Sequence, residues 1–180
     1  MEYLSKNNTF YYITSVTHNR LPVFQKDALK YILAAALDEA RTSAGLLIFA
    51  YAIMLDHFHI ITDSKLKQSE VLRYLNGVSA RRVIGYLKDH GFESSLLKLR
   101  TETKERQYKH SLWEHHSNCF EIKTEAVLIQ KVNYIHQNPI VEGLCERAED
   151  HLFSSARIWR HCPLENEPLR MDVDRIKWRV

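Results

Sequence analysis

Residues 46–62 read LLIFAYAIMLDHFHIIT, and this stretch decides the fold. The segment 46–54 is apolar on both faces of an extended chain, which marks a central strand. Residues 56–62 are again short and β-rich, so the two segments are expected to pair as a hairpin. Upstream, residues 10–17 (FYYITSVT) are aromatic and β-branched and read as another strand. Between them, Leu29, Ile32, Leu33, Ala36, Leu37 and Ala40 recur at helical spacing within 25–42, with Gly45 as the stop. Downstream, Ser69 opens a second helical pattern that runs through Val71, Leu75, Val78, Val83 and Leu87. Residues 112–113 and 119–122 fit short strands, and 124–137 fit a third helix. The pair Asn138-Pro139 is expected to end that helix, because proline pushes the preceding residue out of the α region. Strand, helix, strand, strand, helix, then more strand and helix is an α+β order with an antiparallel sheet.

The chain has 180 residues, which favours one domain. We place that domain at 1–160, with 161–180, broken by Pro163 and Pro168, as a tail. An apolar content of 45% and a charged content of 26% exclude wholesale disorder. No apolar run approaches the ~18–20 residues of a membrane helix, and MEYLSKNNTF has no signal-peptide core. Three widely spaced cysteines, Cys119, Cys145 and Cys162, form no C-x-x-C. A reduced cytoplasmic protein is expected. The net charge of +3 is uneven. Residues 65–110 hold eleven Lys/Arg and five Asp/Glu, a local +6, compatible with a phosphate-bearing partner or with a solvated helix face.

Two features carry candidate chemistry. On a strand, His57 and His59 point to one face and Phe58 to the other. Two imidazoles side by side can chelate a divalent ion, or can simply be half-exposed strand residues. Asp56 alternates away from them. In YIHQNP, Tyr134 and Asn138 are i and i+4, neighbours on one helix face. They are candidates for a nucleophile and a third metal ligand, or for a buried tyrosine and a helix-end asparagine. Arg81 and Arg82 are candidate phosphate contacts, or simply residues of an outer helix face; Trp113 is a candidate stacking platform for a base, but reads more readily as a core or edge tryptophan. A histidine cluster at 110, 115 and 116 reads more readily as a solvated loop. Phosphate-loop, dinucleotide, zinc-peptidase and nucleophile-elbow motifs are absent from the sequence.

Taken in order, YAIMLDHFHIITD followed by NYIHQNPIVEGLC resembles the REP-associated tyrosine transposases, members of the single-tyrosine HUH class. HLFSSARIW is similar to their W-x-x-S-S element, Trp113-Glu114 to their Trp-Gln, and VSARRVIGYL to the helix after their hairpin. The resemblance spans about residues 8–160. It implies a ferredoxin-like antiparallel sheet with helices on one face. It further implies a metal held by His57, His59 and Asn138, a catalytic Tyr134, and cleavage of single-stranded DNA near a hairpin through a 5′-phosphotyrosine. The metal would be Mg²⁺ or Mn²⁺, the histidines favouring Mn²⁺. The unit would be a monomer or a homodimer. The chemistry suits the residues, since a free tyrosine hydroxyl, with a pKa of about 10, is a weak nucleophile at neutral pH. Leu55-Asp56 and Glu114 depart from the family pattern, as do HHSNCFEI and the acid at Glu142. The divergent 114–122 stretch motivates an alternative, a non-catalytic, domesticated binder of hairpin DNA. A third reading is an unrelated H-x-H metalloenzyme acting on a small molecule.

Overall fold

The apolar segments assemble as their alternation requires. A computed structural model describes residues 9–102 and 108–176. Strand β1 (Thr9–Val16) leads to helix α1 (Asp27–Ala44), and β2 (Leu47–Ile53) turns tightly into β3 (His57–Ser64). Helix α2 (Gln68–Asp89), the short α3 (Glu93–Lys98), and strands β4 (Arg100–Glu102) and β5 (Tyr108–His110) follow. Then come β6 (Asn118–Ile122), α4 (Glu125–Val141) and α5 (Ala156–Trp159). The main sheet has the order β2-β3-β1-β6, with every pairing antiparallel. With α1 and α2 as the two crossovers, this is the ferredoxin-like βαββαβ order. The outer ends of the expected domain and tail, residues 1–8 and 177–180, lie outside the described residues.

Each face of the sheet has its own core. Tyr11, Ile13, Phe58 and Ile60 point to the face covered by α1 and α2, where Leu33, Leu37, Leu75 and Val83 meet them. Gly45 closes α1 in the left-handed region, φ 64°, its N–H donating to the Arg41 carbonyl. The opposite face presents Phe10, Tyr12, Ala52 and Ile61, and α4 covers it with Leu128, Val132 and Ile135. The helices expected on one face are thus α1 and α2, and α4 is an addition on the other.

Helix α4 also differs from the sequence expectation at its end. It runs through Pro139 to Val141 instead of stopping at Asn138. Proline removes one backbone donor, but the last turn holds through Glu142 N–H to Asn138 O (2.9 Å) and Leu144 N–H to Pro139 O (2.8 Å). The Asn138 side chain adds Nδ2 to the Tyr134 carbonyl at 2.7 Å. Core packing of Ile135 and Pro139, both buried, overrides the pre-proline bias.

Strand β2 lies at the sheet edge, and C-terminal segments take up its outward groups. Ile53 N–H donates to Phe153 O (2.9 Å), and Ser155 N–H donates to Tyr51 O (3.0 Å). Asp172 N–H donates to Ile48 O (2.8 Å), while Ile48 N–H donates to the Asp172 carboxylate (3.1 Å). The Trp159 indole donates to Phe49 O at 2.7 Å.

Candidate metal and nucleophile site

The period of β3 puts His57 and His59 on the α4 face, 6% and 3% exposed. Their Nε2 atoms lie 3.1 Å apart. The outer nitrogens are held from behind. The Asp56 carboxylate meets His57 Nδ1 at 2.6 Å; with the proton on Nδ1, Nε2 is left as a lone pair. His59 Nδ1 meets Thr14 Oγ1 at 2.8 Å and the Tyr12 hydroxyl at 3.0 Å. Thr14 sits directly across from His59 in the β1–β3 register. Burial, with His57 beside it, pushes His59 down to about 3, so its ring is neutral at physiological pH. Burial also pushes the Tyr12 hydroxyl up to about 12, keeping it a neutral partner.

Helix α4 brings Tyr134 to this pair. Its ring centroid is 5.6 Å from that of His59 and 6.2 Å from that of Tyr12. Half of Tyr134 remains exposed, at 49%. Asn138, one turn on, forms a hydrogen bond with His59 that opposes the depression of its pKa. With Nδ2 committed to the Tyr134 carbonyl, the amide oxygen is the end turned to His59. One turn before Tyr134, Lys131 sets its ammonium 5.0–5.2 Å from the rings of Tyr12, Phe120 and Tyr134. His136, on another side of α4, is buried and bonds Ser155 Oγ at 2.8 Å. This contact pegs the helix to the capped edge of β2, and burial lowers the imidazole to about 4.

A divalent ion fits this donor set. If both rings carry their proton on Nδ1, two lone pairs meet 3.1 Å apart. A cation set before them would relieve that repulsion. Donors at about 2.1 Å from an octahedral ion stand about 3 Å from one another, which matches the separation of the two Nε2 atoms. Carboxylates and hydroxyls behind ligating imidazoles are the usual means of orienting them. Among the described residues no group of three His, Cys, Asp or Glu could hold a metal; the amide of Asn138 would be a third donor beside the two imidazoles.

The other sequence candidates lie elsewhere. Trp113 is 6% exposed and packs between Phe24 and Phe58, its Nε1 donating to Ser79 Oγ at 2.9 Å. Of the two readings of Trp113 the core residue holds and the stacking platform is corrected: it lies under α1 and α2, nearly buried. Arg81 and Arg82 share the carboxylate of Glu39 on α1 at 2.7 and 2.6 Å, across the sheet from the histidines. Tyr12, Thr14 and Lys131 join the site without a signal in the sequence, and Asp56 joins it against its alternation. The register pairing Thr14 with His59 has no signature in a single sequence. Asp56 was dismissed by alternation, yet at the tight turn it reaches its own neighbour.

The family described as "Transposase IS200 like" matches residues 5–138. The fold is similar to that of a REP-associated tyrosine transposase solved bound to a REP hairpin. The TM-score is 0.61 at 16% identity, covering 96% of this chain and 91% of that one. A transposase-assigned protein of Deinococcus radiodurans R1 gives a TM-score of 0.48 at 20% identity, over 76% of this chain and 95% of the other. Comparison with curated proteins gives no match. Among the described residues no helix is long and apolar enough to cross a membrane.

Proposed function

Because the chain belongs to the IS200-like transposase family, we propose that it is a metal-dependent single-stranded-DNA endonuclease and strand transferase with Tyr134 as nucleophile. The observation that carries this reading is the approach of Tyr134 to His59, 5.6 Å between ring centroids, within one chain. Bound by His57, His59 and Asn138, Mg²⁺ or Mn²⁺ would polarise the scissile phosphate and offset charge on its oxygens.

The protein's own groups do the rest. The half-exposed Tyr134 hydroxyl reaches a strand laid along α4. Its oxygen bonds to phosphorus as the bond from phosphorus to the 3′-oxygen breaks, and the phenolic proton ends on that 3′-oxygen. The products are a 5′-phosphotyrosine and a free 3′-hydroxyl. One phosphodiester replaces another, so the strand can be rejoined to a new end. Lys131 places a fixed positive charge beside the reacting phosphate. His136, through Ser155, holds α4 in register with the sheet.

The partner is single-stranded DNA carrying a hairpin, a reading supported by the hairpin in the structurally similar transposase. The proposed catalytic groups lie within residues 1–160, and the working unit is a monomer or a homodimer. Its place is the cytoplasm. Any DNA contact of Arg81 and Arg82 lies across the sheet from the cleavage site.

The test is a denaturing-gel assay with labelled single-stranded hairpins from the gene's own neighbourhood, in Mn²⁺ and in EDTA. A protease-sensitive band of retarded DNA in Mn²⁺ and none in EDTA is expected. Tight hairpin binding with no such band in any divalent metal would instead establish a non-catalytic binder. A second expectation concerns orientation of the first ligand. Asp56→Ala should weaken Mn²⁺ binding by ~10–100-fold, read by calorimetry. Unchanged affinity would mean that the carboxylate does not orient His57.

A further inference from the structure

We propose that a cavity at the end of α2 binds one nucleoside monophosphate unit, with Lys88 and Arg100 on its phosphate and Leu97 against its base. The site goes beyond the cleavage reading and does not depend on it, since α2 and α4 cover opposite faces of the sheet. The cavity has a volume of about 370 Å³. Lys88 of α2, Glu93, Leu96 and Leu97 of α3, Arg100 of β4 and His110 of β5 line it.

The local sequence brings these groups together. Gly91 takes a φ of 67°, a left-handed value that suits a residue without a side chain. Its N–H donates to Lys88 O (3.2 Å) and the Phe92 N–H to Leu87 O (2.9 Å), the double bond pattern that closes a helix. The chain turns there, and the first residue of α3, Glu93, comes back to the cavity that Lys88 lines. Beyond α3, Arg100 and His110 stand opposite each other in the β4–β5 register, which puts their side chains on one face of that hairpin.

Size, charge and apolar surface together select the ligand. Small-molecule pockets run from about 300 to 1,000 Å³, so this one suits one base, one sugar and one phosphate, not a longer chain. Two cations face one carboxylate. Burial, then Lys88 and Arg100, hold the His110 imidazole below its ordinary value, with Glu93 opposing them. The ring is thus neutral at neutral pH, and the lining keeps a single positive charge that an entering phosphate meets. Leu97 is 63% exposed, an apolar wall beside those cations. A bare phosphate gains nothing from it, whereas a base covers it. The Glu93 carboxylate repels phosphate but accepts from an amino group such as that of cytosine, which orients the base towards α3.

The experiment is a calorimetric titration of the full chain in EDTA with dCMP and, separately, with inorganic phosphate. Wild type, Lys88→Gln, Leu97→Asp and Arg147→Gln are compared, with circular dichroism as the check on folding. All three positions are exposed, so the fold should survive, and Arg147 lines no part of the cavity. The expected result is a Kd for dCMP raised about tenfold or more in Lys88→Gln and Leu97→Asp, with Arg147→Gln like wild type. Unpaired oligo(dC) added to the dCMP complex then separates the sources. Displacement assigns the site to a nucleotide of a bound strand, retention assigns it to a free nucleotide, and both uphold the site. No binding of dCMP by wild type, or an equal loss in Arg147→Gln, overturns it. Phosphate bound as tightly as dCMP overturns the place of the base.

Discussion

Tyr134→Phe is expected to end covalent attachment to DNA while hairpin affinity and melting temperature stay near wild type. The substitution removes one oxygen and keeps the ring, so the edge contact with His59 and the cation of Lys131 over the ring both survive. The side chain is half exposed, and its hydroxyl is not part of either core. What disappears is the only group proposed to bond to phosphorus. Residual cleavage would have to come from water, at a rate lower by on the order of 10⁴-fold or more, as for other enzymes stripped of their nucleophile. Adduct formation in Mn²⁺ and hairpin Kd in EDTA, measured on one preparation, separate the two effects. Cleavage that persists in Tyr134→Phe would move the nucleophile elsewhere.

Arg157→Met should lower stability by about 3–5 kcal/mol, the range for breaking a buried ion pair from one side. For a chain of this size that is a fall in melting temperature of about 6–20 °C. The guanidinium is nearly buried against Glu167, with side-chain exposures of 8% and 11%. It donates to both carboxylate oxygens, at 3.2 and 2.7 Å. The remaining donors reach the carbonyls of Glu149, His151, Leu152 and Ser154. Methionine fills the volume but leaves a buried carboxylate and those carbonyls without their donor. Lysine should not rescue, because a point charge cannot span that fork. A thermal melt by circular dichroism decides it, and a shift under about 2 °C would mean that the 149–154 loop is held by its apolar contacts alone.

The hairpin of β2 and β3 was legible because its periodicity is local. Alternation sends Phe58 into one core and both histidines to the other face, and no distant contact is needed to see it. Tyr134 and Asn138 were legible for the same reason, being one helical turn apart. The pieces that escaped depend on pairings remote in sequence. Thr14 is set against His59 by strand register, Ser155 against His136 by packing, and Asp172 against Ile48 by the path of the tail. Trp113 stood open between a stacking platform and a core residue because its neighbours in sequence are polar; Phe24 and Phe58 on either side of it decide for the core. The α4 boundary was misread because a proline rule about local sterics lost to the burial of Ile135 and Pro139.

The capping of β2 has a consequence in time. A ribosome makes Ile53 long before it makes Asp172, which lies 119 residues further on. At about 5–20 residues per second, β2 waits roughly 6–24 s for the last of the groups that cover its outer side. During that interval the nascent chain presents a row of unpaired peptide groups flanked by apolar side chains, the kind of edge on which other strands assemble. Synthesis of residues 151–172 therefore protects the newborn protein from its neighbours, and a stalled or clipped chain ending before residue 151 would be sticky even with its sheet and α4 already made.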